Sequence, residues 1–81
     1  MSSENLDQDV RELVADVLEL PAAEVGPDTS PKNHPAWTSL RHLSVILAVE
    51  ESYGVTIPPE EGAGVGSVAD LIALVKRKTA G

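Results

Sequence analysis

From Thr38 to Gly54 the chain reads TSLRHLSVILAVEESYG, and this stretch decides the fold. Aliphatic residues recur in it at three- and four-residue steps, which predicts an amphipathic helix over about 39–53. Thr38 or Ser39 can cap its first turn, and Gly54 suits the left-handed position that ends many helices. We expect its apolar arc to comprise Leu40, Leu43, Ile46, Leu47 and Val49.

Two further helices flank this one. Over about 5–20, apolar residues recur at helical spacing with acidic residues between them, and Pro21 ends the pattern. A second segment, over about 67–78, opens with Ser67 and Asp70 in a capping pattern. The predicted inward faces are Leu6, Val10, Leu13, Val14 and Val17 in the first, and Val68, Leu71, Ile72 and Val75 in the last.

The connections differ in length and composition. Residues 21–38 contain four prolines, which predicts a long loop with a short helical turn near 22–25, anchored by Val25 and Trp37. Residues 60–66 contain three glycines and should form at most one helical turn. The sequence therefore predicts one all-α domain over residues 1–81, a small three- to four-helix bundle with a short or degenerate third helix.

Composition limits the possible functions. The chain lacks cysteine, which removes disulfides, thiolate metal sites and a protein thiol nucleophile. Its net charge of −7 disfavours binding to nucleic acid or to an anionic membrane. The longest uncharged apolar run, 43–49, is too short to cross a bilayer, and the N-terminus does not resemble a signal peptide. We expect a cytoplasmic protein.

Ser39 is the candidate functional residue. Capping is the ordinary role of a serine at the start of a helix. Because Leu40 and Leu43 are expected to face the core, we expect Ser39 to face solvent. There the unpaired N–H groups of the first turn and the helix dipole would favour a phosphodiester on its oxygen.

The segment from Trp37 to Pro58 resembles the acyl carrier protein family. The family signature is Asp-Ser-Leu, an aliphatic helix, Glu-Glu, an aromatic residue, glycine and an aliphatic-x-aliphatic-Pro bridge. This chain matches it with Ser39-Leu40, Glu50-Glu51, Tyr53-Gly54 and Val55-Thr56-Ile57-Pro58. The likeness extends from about Leu6 to Lys78.

The resemblance implies a carrier and not an enzyme. A phosphopantetheinyl transferase would attach 4′-phosphopantetheine from coenzyme A to Ser39, flanked by Thr38 and by Leu40, which would anchor the turn through burial. The thiol of the arm would hold acyl or aminoacyl groups as thioesters, so the reactive sulfur would belong to the cofactor. Partner enzymes would dock on the exposed part of the middle helix, for which the candidates are Arg41, His42, Glu50 and Glu51.

The likeness also suggests a setting. The proline-rich loop resembles that of stand-alone carriers in bacterial specialised metabolism, such as polyketide biosynthesis, more than that of carriers in fatty acid biosynthesis. The implied partners are an acyl- or aminoacyl-loading enzyme and a ketosynthase or other biosynthetic enzyme, and we expect a monomer.

Two positions depart from the family pattern. Thr38 stands where the family usually has Asp, so a carboxylate expected beside the attachment site is missing. Thr38 can still cap the helix, which leaves open whether the lost charge slows modification or selects an unusual transferase. The glycines of 62–66 put in doubt any partner contact assigned to the third helix.

Other interpretations stay open for the aromatic and histidine residues. Trp37 is expected to anchor the loop, although it could instead flank the arm. His42 could form a hydrolytic pair with Ser39, with an acid such as Asp28 orienting the imidazole, but no glycine-flanked nucleophile turn or oxyanion hole is evident. His34 and His42 lack metal-site spacing, so surface histidines are favoured over metal ligands. The alternative to a carrier is an unmodified acidic helical module that binds a basic partner.

Overall fold

The computed structural model describes residues 3–80, with the side chains of residues 5–79. Its helices are α1 (Ser3–Leu18), α2 (Ser39–Tyr53), α3 (Pro59–Ala63) and α4 (Val68–Ala80), with a 3₁₀ turn at Ala22–Glu24. The described residues form no β-strand, and the predicted all-α bundle is confirmed. Nor does any helix in this part of the chain have the length and hydropathy that a bilayer span requires.

The end of α1 lies before the proline that was predicted to end it. The N–H of Leu20 donates to the carbonyl of Ala15 at 2.9 Å, and that of Glu19 donates to Asp16 at 3.2 Å. Glu19 has φ of 59°, in the left-handed region. This is a Schellman ending with a glutamate where glycine is usual, and it satisfies two of the last helical carbonyls. The helix therefore stops at Leu18, ahead of Pro21.

One aliphatic core joins the three long helices. Helix α1 packs against both α2 and α4, and every apolar residue predicted for the inward face of α4 is buried. The predicted face of α1 is also inward, with Val10 and Val14 fully buried and its other members partly buried. The connections add Val25, Trp37, Ile57 and Val65 to the core.

The inward face of α2 differs from the predicted one. Val45, Ile46 and Val49 are buried, whereas Leu40, Leu43 and Leu47 are 75%, 61% and 60% exposed. Side chains three and four residues apart share a helix face, so an inward arc through 42, 45, 46 and 49 turns 40, 43 and 47 away. The predicted arc was too wide because α1 and α4 cover only one side of α2.

The long loop is ordered by polar contacts as well as by its apolar anchors. Val25 and Trp37 are buried, which confirms their predicted role. The Arg11 Nε donates to the carbonyl of Val25 at 2.9 Å. Two carbonyls of the loop also accept hydrogen bonds from the first N–H groups of α4. The N–H of Val68 donates to the carbonyl of Thr29 at 2.9 Å, and that of Ala69 donates to the carbonyl of Pro27 at 3.0 Å. The loop therefore supplies part of the cap of α4.

Helix α3 is a single short turn, as the glycine content predicts. Upstream of it, the extended bridge is held to α2 by the Glu50 carboxylate, whose Oε2 accepts the N–H of Ile57 at 2.7 Å. Glu61 pairs with Lys78 at 2.6 Å, which links α3 to α4. The short helix is thus fixed through the bridge that precedes it and through its central residue.

Trp37 and His42 connect the loop, α2 and α3. The indole Nε1–H donates to His42 Nδ1 at 3.0 Å, so the proton of the neutral ring lies on Nε2. That nitrogen donates to the carbonyl of Gly62 at 2.8 Å. The two rings are also stacked, with centroids 5.9 Å apart. His42 is half-buried, and the surface position predicted for it is wrong because both ring nitrogens have internal partners.

We expect Glu19→Gly to be more stable than Glu19→Ala by about 1 kcal/mol, because glycine adopts φ of 59° without a Cβ penalty. Both variants lose the carboxylate that pairs with Arg41 at 3.0 Å, so their difference isolates the backbone conformation. Urea unfolding measures it. Equal free energies of unfolding would contradict the left-handed conformation at this position.

We expect His42→Leu to lower the free energy of unfolding by about 1–3 kcal/mol, because it leaves the Trp37 N–H and the Gly62 carbonyl without their partners. Trp37 is the sole tryptophan, so its emission spectrum should also shift. The matched control is His34→Leu in the loop. It should change the free energy of unfolding and the Trp37 emission less than His42→Leu does. A His42→Leu protein with wild-type stability and emission would exclude the connection.

Candidate functional site

Ser39 is the first residue of α2 and is exposed. Thr38 precedes it as the N-cap, and the Thr38 Oγ1 accepts the N–H of Arg41 at 3.2 Å. Capping is therefore performed by Thr38, which leaves the Ser39 hydroxyl at the protein surface. The exposure of Ser39 agrees with the prediction. The reason given was that Leu40 and Leu43 face the core, and that reason is wrong because both leucines are exposed as well.

Leu40 does not anchor this turn by burial, as the family resemblance had implied. Its side chain is 75% exposed, more than those of Leu43 and Leu47, the other exposed large apolar side chains in the described part of the chain. The turn is instead held by the Thr38 cap and by Trp37, which is only 2% exposed. Leu40 is therefore available to a partner and contributes little to the core.

A groove opens beside Ser39. Its volume is about 480 Å³, and it runs between the long loop and the end of α3. The lining residues are Pro31, Trp37, Thr38, Ser39, His42, Ala63 and Val65. The groove is partly apolar and has Ser39 at its edge, so it could accommodate a flexible chain that lies along the protein.

Three of the four residues predicted for partner docking have intramolecular contacts. Arg41 Nη1 donates to the carbonyl of Val17 at 2.7 Å, and Nη2 donates to Glu19 at 3.0 Å, so Arg41 caps the end of α1. His42 joins Trp37 to Gly62, and Glu50 accepts the N–H of Ile57. Glu51 is exposed.

The sequence analysis did not predict these contacts because the partner groups are far away in the chain or are backbone atoms. The carbonyl of Val17 lies 24 positions from Arg41 in the chain, and that of Gly62 lies 20 positions from His42. Because every residue has a backbone carbonyl, the residue types do not indicate which carbonyl a side chain will contact. Only the Trp37–His42 spacing of five residues, across the start of a helix, hinted at an interaction.

The geometry around Ser39 suits modification by another protein more than catalysis. Both ring nitrogens of His42 have other partners, so His42 does not hold the Ser39 hydroxyl as a general base would. Within the described part of the chain, no three or more metal-ligating side chains lie together. What remains is an exposed alcohol at a helix start beside a groove.

Comparison with known proteins agrees with this arrangement. Residues 8–75 match the family model described as the phosphopantetheine attachment site. The chain is also 30% identical over 78 residues to an acyl carrier protein of Prochlorococcus marinus (strain MIT 9515), an alignment that covers 96% of this chain and 98% of that protein. The chain therefore belongs to the acyl carrier protein family, whose cofactor is 4′-phosphopantetheine.

Proposed function

We propose that Ser39 carries the phosphopantetheine arm and that the protein holds acyl or aminoacyl groups on it as thioesters. The observation that carries this proposal is the exposed Ser39 hydroxyl at the start of α2, inside the matched range 8–75. When bound, the arm supplies the thiol that the cysteine-free chain lacks.

The residues around Ser39 fit such an arm. The first turn of α2 presents backbone N–H groups and the positive end of the helix dipole, and both favour the phosphate that would join the arm to Ser39 Oγ. Thr38 keeps that turn helical through its cap. The groove beside Ser39 gives the arm apolar surface from Trp37, Ala63 and Val65.

The modification is a transfer of one phosphoryl-linked group. The Ser39 Oγ attacks the β-phosphate of coenzyme A, and a new P–O bond forms as the pyrophosphate bond breaks. The leaving group is adenosine 3′,5′-bisphosphate, and the hydroxyl proton is lost to a base. Because no base contacts Ser39 in the site described above, we assign that base to the transferase.

The pathway and the partners are also part of the proposal. We propose bacterial polyketide or other specialised metabolism, in the cytoplasm, as a monomer that exchanges cargo with a loading enzyme and a ketosynthase or similar enzyme. The support is the proline-rich loop that leads into Trp37, Ser39 and Leu40. Because Arg41, His42 and Glu50 have internal contacts, docking by charge on α2 would depend mainly on Glu51.

The test is intact-mass analysis after incubation with coenzyme A and a broad-specificity phosphopantetheinyl transferase. We expect the wild-type protein to gain one phosphopantetheine and Ser39→Ala to gain none. Ser44→Ala is the matched control, because Ser44 is an exposed serine on the same helix, and we expect it to be modified like the wild type. Circular dichroism should show the same helical content in all three proteins.

Two results would contradict the proposal. A wild-type protein that no transferase modifies would favour the unmodified interaction module. Modification that persists in Ser39→Ala would place the arm on another hydroxyl.

A further inference from the structure

The contact between Trp37 and α2 depends on the charge of one imidazole. The indole Nε1–H donates to His42 Nδ1 at 3.0 Å, and His42 Nε2 donates to the carbonyl of Gly62 at 2.8 Å. A neutral imidazole has one donor and one acceptor nitrogen, whereas the protonated ring has two donors. Because the indole N–H is itself only a donor, it pairs with the neutral ring and not with the protonated one.

Within the described residues, no ionisable group forms a hydrogen bond or ion pair with the His42 ring. Arg41, its neighbour on α2, is bound at the end of α1. The other ionisable residues of the loop, α2 and α3 are Glu24, Asp28, Lys32, His34, Glu50, Glu51, Tyr53, Glu60 and Glu61. Protonation of His42 would therefore remove the partner of the indole without creating an ion pair in its place.

Trp37 cannot easily find a new acceptor where it lies. The residue is only 2% exposed, and its backbone N–H is bonded to the carbonyl of His34 at 3.1 Å. A buried N–H without an acceptor is unfavourable, so the ring should turn until its N–H reaches water. Trp37 lines the groove beside Ser39. A turn of its ring would therefore change the wall that the loop gives to this groove.

The contact of His42 with α3 does not depend on the charge in this way. Nε2 bears a proton in both states of the ring, so the bond to the Gly62 carbonyl remains after protonation. Gly62 is also buried, and side-chain carbons of Ile46 and Ile57 lie 3.6–3.8 Å from the position that a Cβ would occupy there. Protonation therefore acts on the loop side of the groove and leaves α3 packed on α2.

We propose that the hydrogen bond from Trp37 to His42 is a pH-sensitive latch on the groove beside Ser39. The neutral ring holds Trp37 against α2, and protonation of the ring releases Trp37 while α3 stays bound. The latch opens as the pH falls from about 8 to about 5, the range in which histidine side chains change charge. The inference does not depend on the modification of Ser39, because every contact that carries it belongs to the unmodified chain.

The first experiment is NMR spectroscopy of the unmodified, ¹⁵N-labelled full chain from about pH 8 to about pH 5. Trp37 is the sole tryptophan, so its indole N–H gives a single cross-peak. At the upper pH we expect the His42 proton on Nε2, with Nδ1 unprotonated. As the pH falls, the indole peak should move together with the ring signals of His42. Protection of the indole N–H from hydrogen exchange, corrected for the intrinsic effect of pH, should fall about tenfold or more.

The second experiment assigns the change to one of the two histidines. An amide does not titrate in this range, so we expect His42→Gln to show the same indole protection at both ends of it. His34→Gln is the matched control, because the contacts of His34 are with Ala36 and Glu24, and it should keep the wild-type fall. Quenching of Trp37 emission by acrylamide should rise at low pH in the wild type and in His34→Gln only.

Several results would overturn the latch. These are a His42 proton on Nδ1 at the upper pH, indole protection that stays constant in the wild type, and a fall in protection that persists in His42→Gln or disappears in His34→Gln. Loss of helix by circular dichroism in the wild type at the lower pH would show general unfolding in place of local release. If His42→Gln does not fold, the wild-type spectra decide, because an indole peak that follows the ring signals of His34 contradicts the latch.

Discussion

The rotation of α2 about its own axis is the constraint on which the site depends. Val45 and Val49 are fully buried in the common core, and their burial fixes which face of the helix is inward. The same rotation turns His42 toward the loop and α3, and turns Leu40, Leu43 and Leu47 toward solvent. Since Ser39 begins this helix, its exposure and its position beside the groove follow from packing several residues further along.

Polar contacts then fix the position of α2 along its length. Arg41 joins its first turn to the end of α1, His42 joins it to the loop and α3, and Glu50 joins its last turn to the bridge before α3. Each contact satisfies a backbone or indole group that would otherwise need water. The side chains of Arg41, His42 and Glu50 thus serve internal architecture, whereas Ser44, Glu51 and the exposed leucines form the outward surface.

Much of the fold could be predicted from local sequence. Periodicity and caps gave the bounds of α2, the existence of α1 and α4, and the single turn of α3, because these depend on residues a few positions apart. The exposed position of Ser39 and the buried position of Trp37 were also expected. The ending of α1 was not, since a glutamate rarely occupies the left-handed position that Glu19 adopts.

The features that the sequence did not predict depend on how the helices pack and on contacts between residues that are distant in the chain. Seven residues of α2 are aliphatic. Periodicity alone does not show which of them the neighbouring helices cover. Leu40, Leu43 and Leu47 were therefore assigned to the wrong face. The contacts of Arg41 and His42 depend on carbonyls far away in the chain, so both residues were interpreted as surface groups.

The most direct measurement is peptide-level mass spectrometry of the protein purified from the cell that makes it. A peptide that contains Ser39 should carry the phosphopantetheine, with fragment ions that place it on that residue, and the group on its thiol would identify the cargo. Native protein in which this peptide is always unmodified, or in which the arm lies on another serine or threonine, would contradict the account.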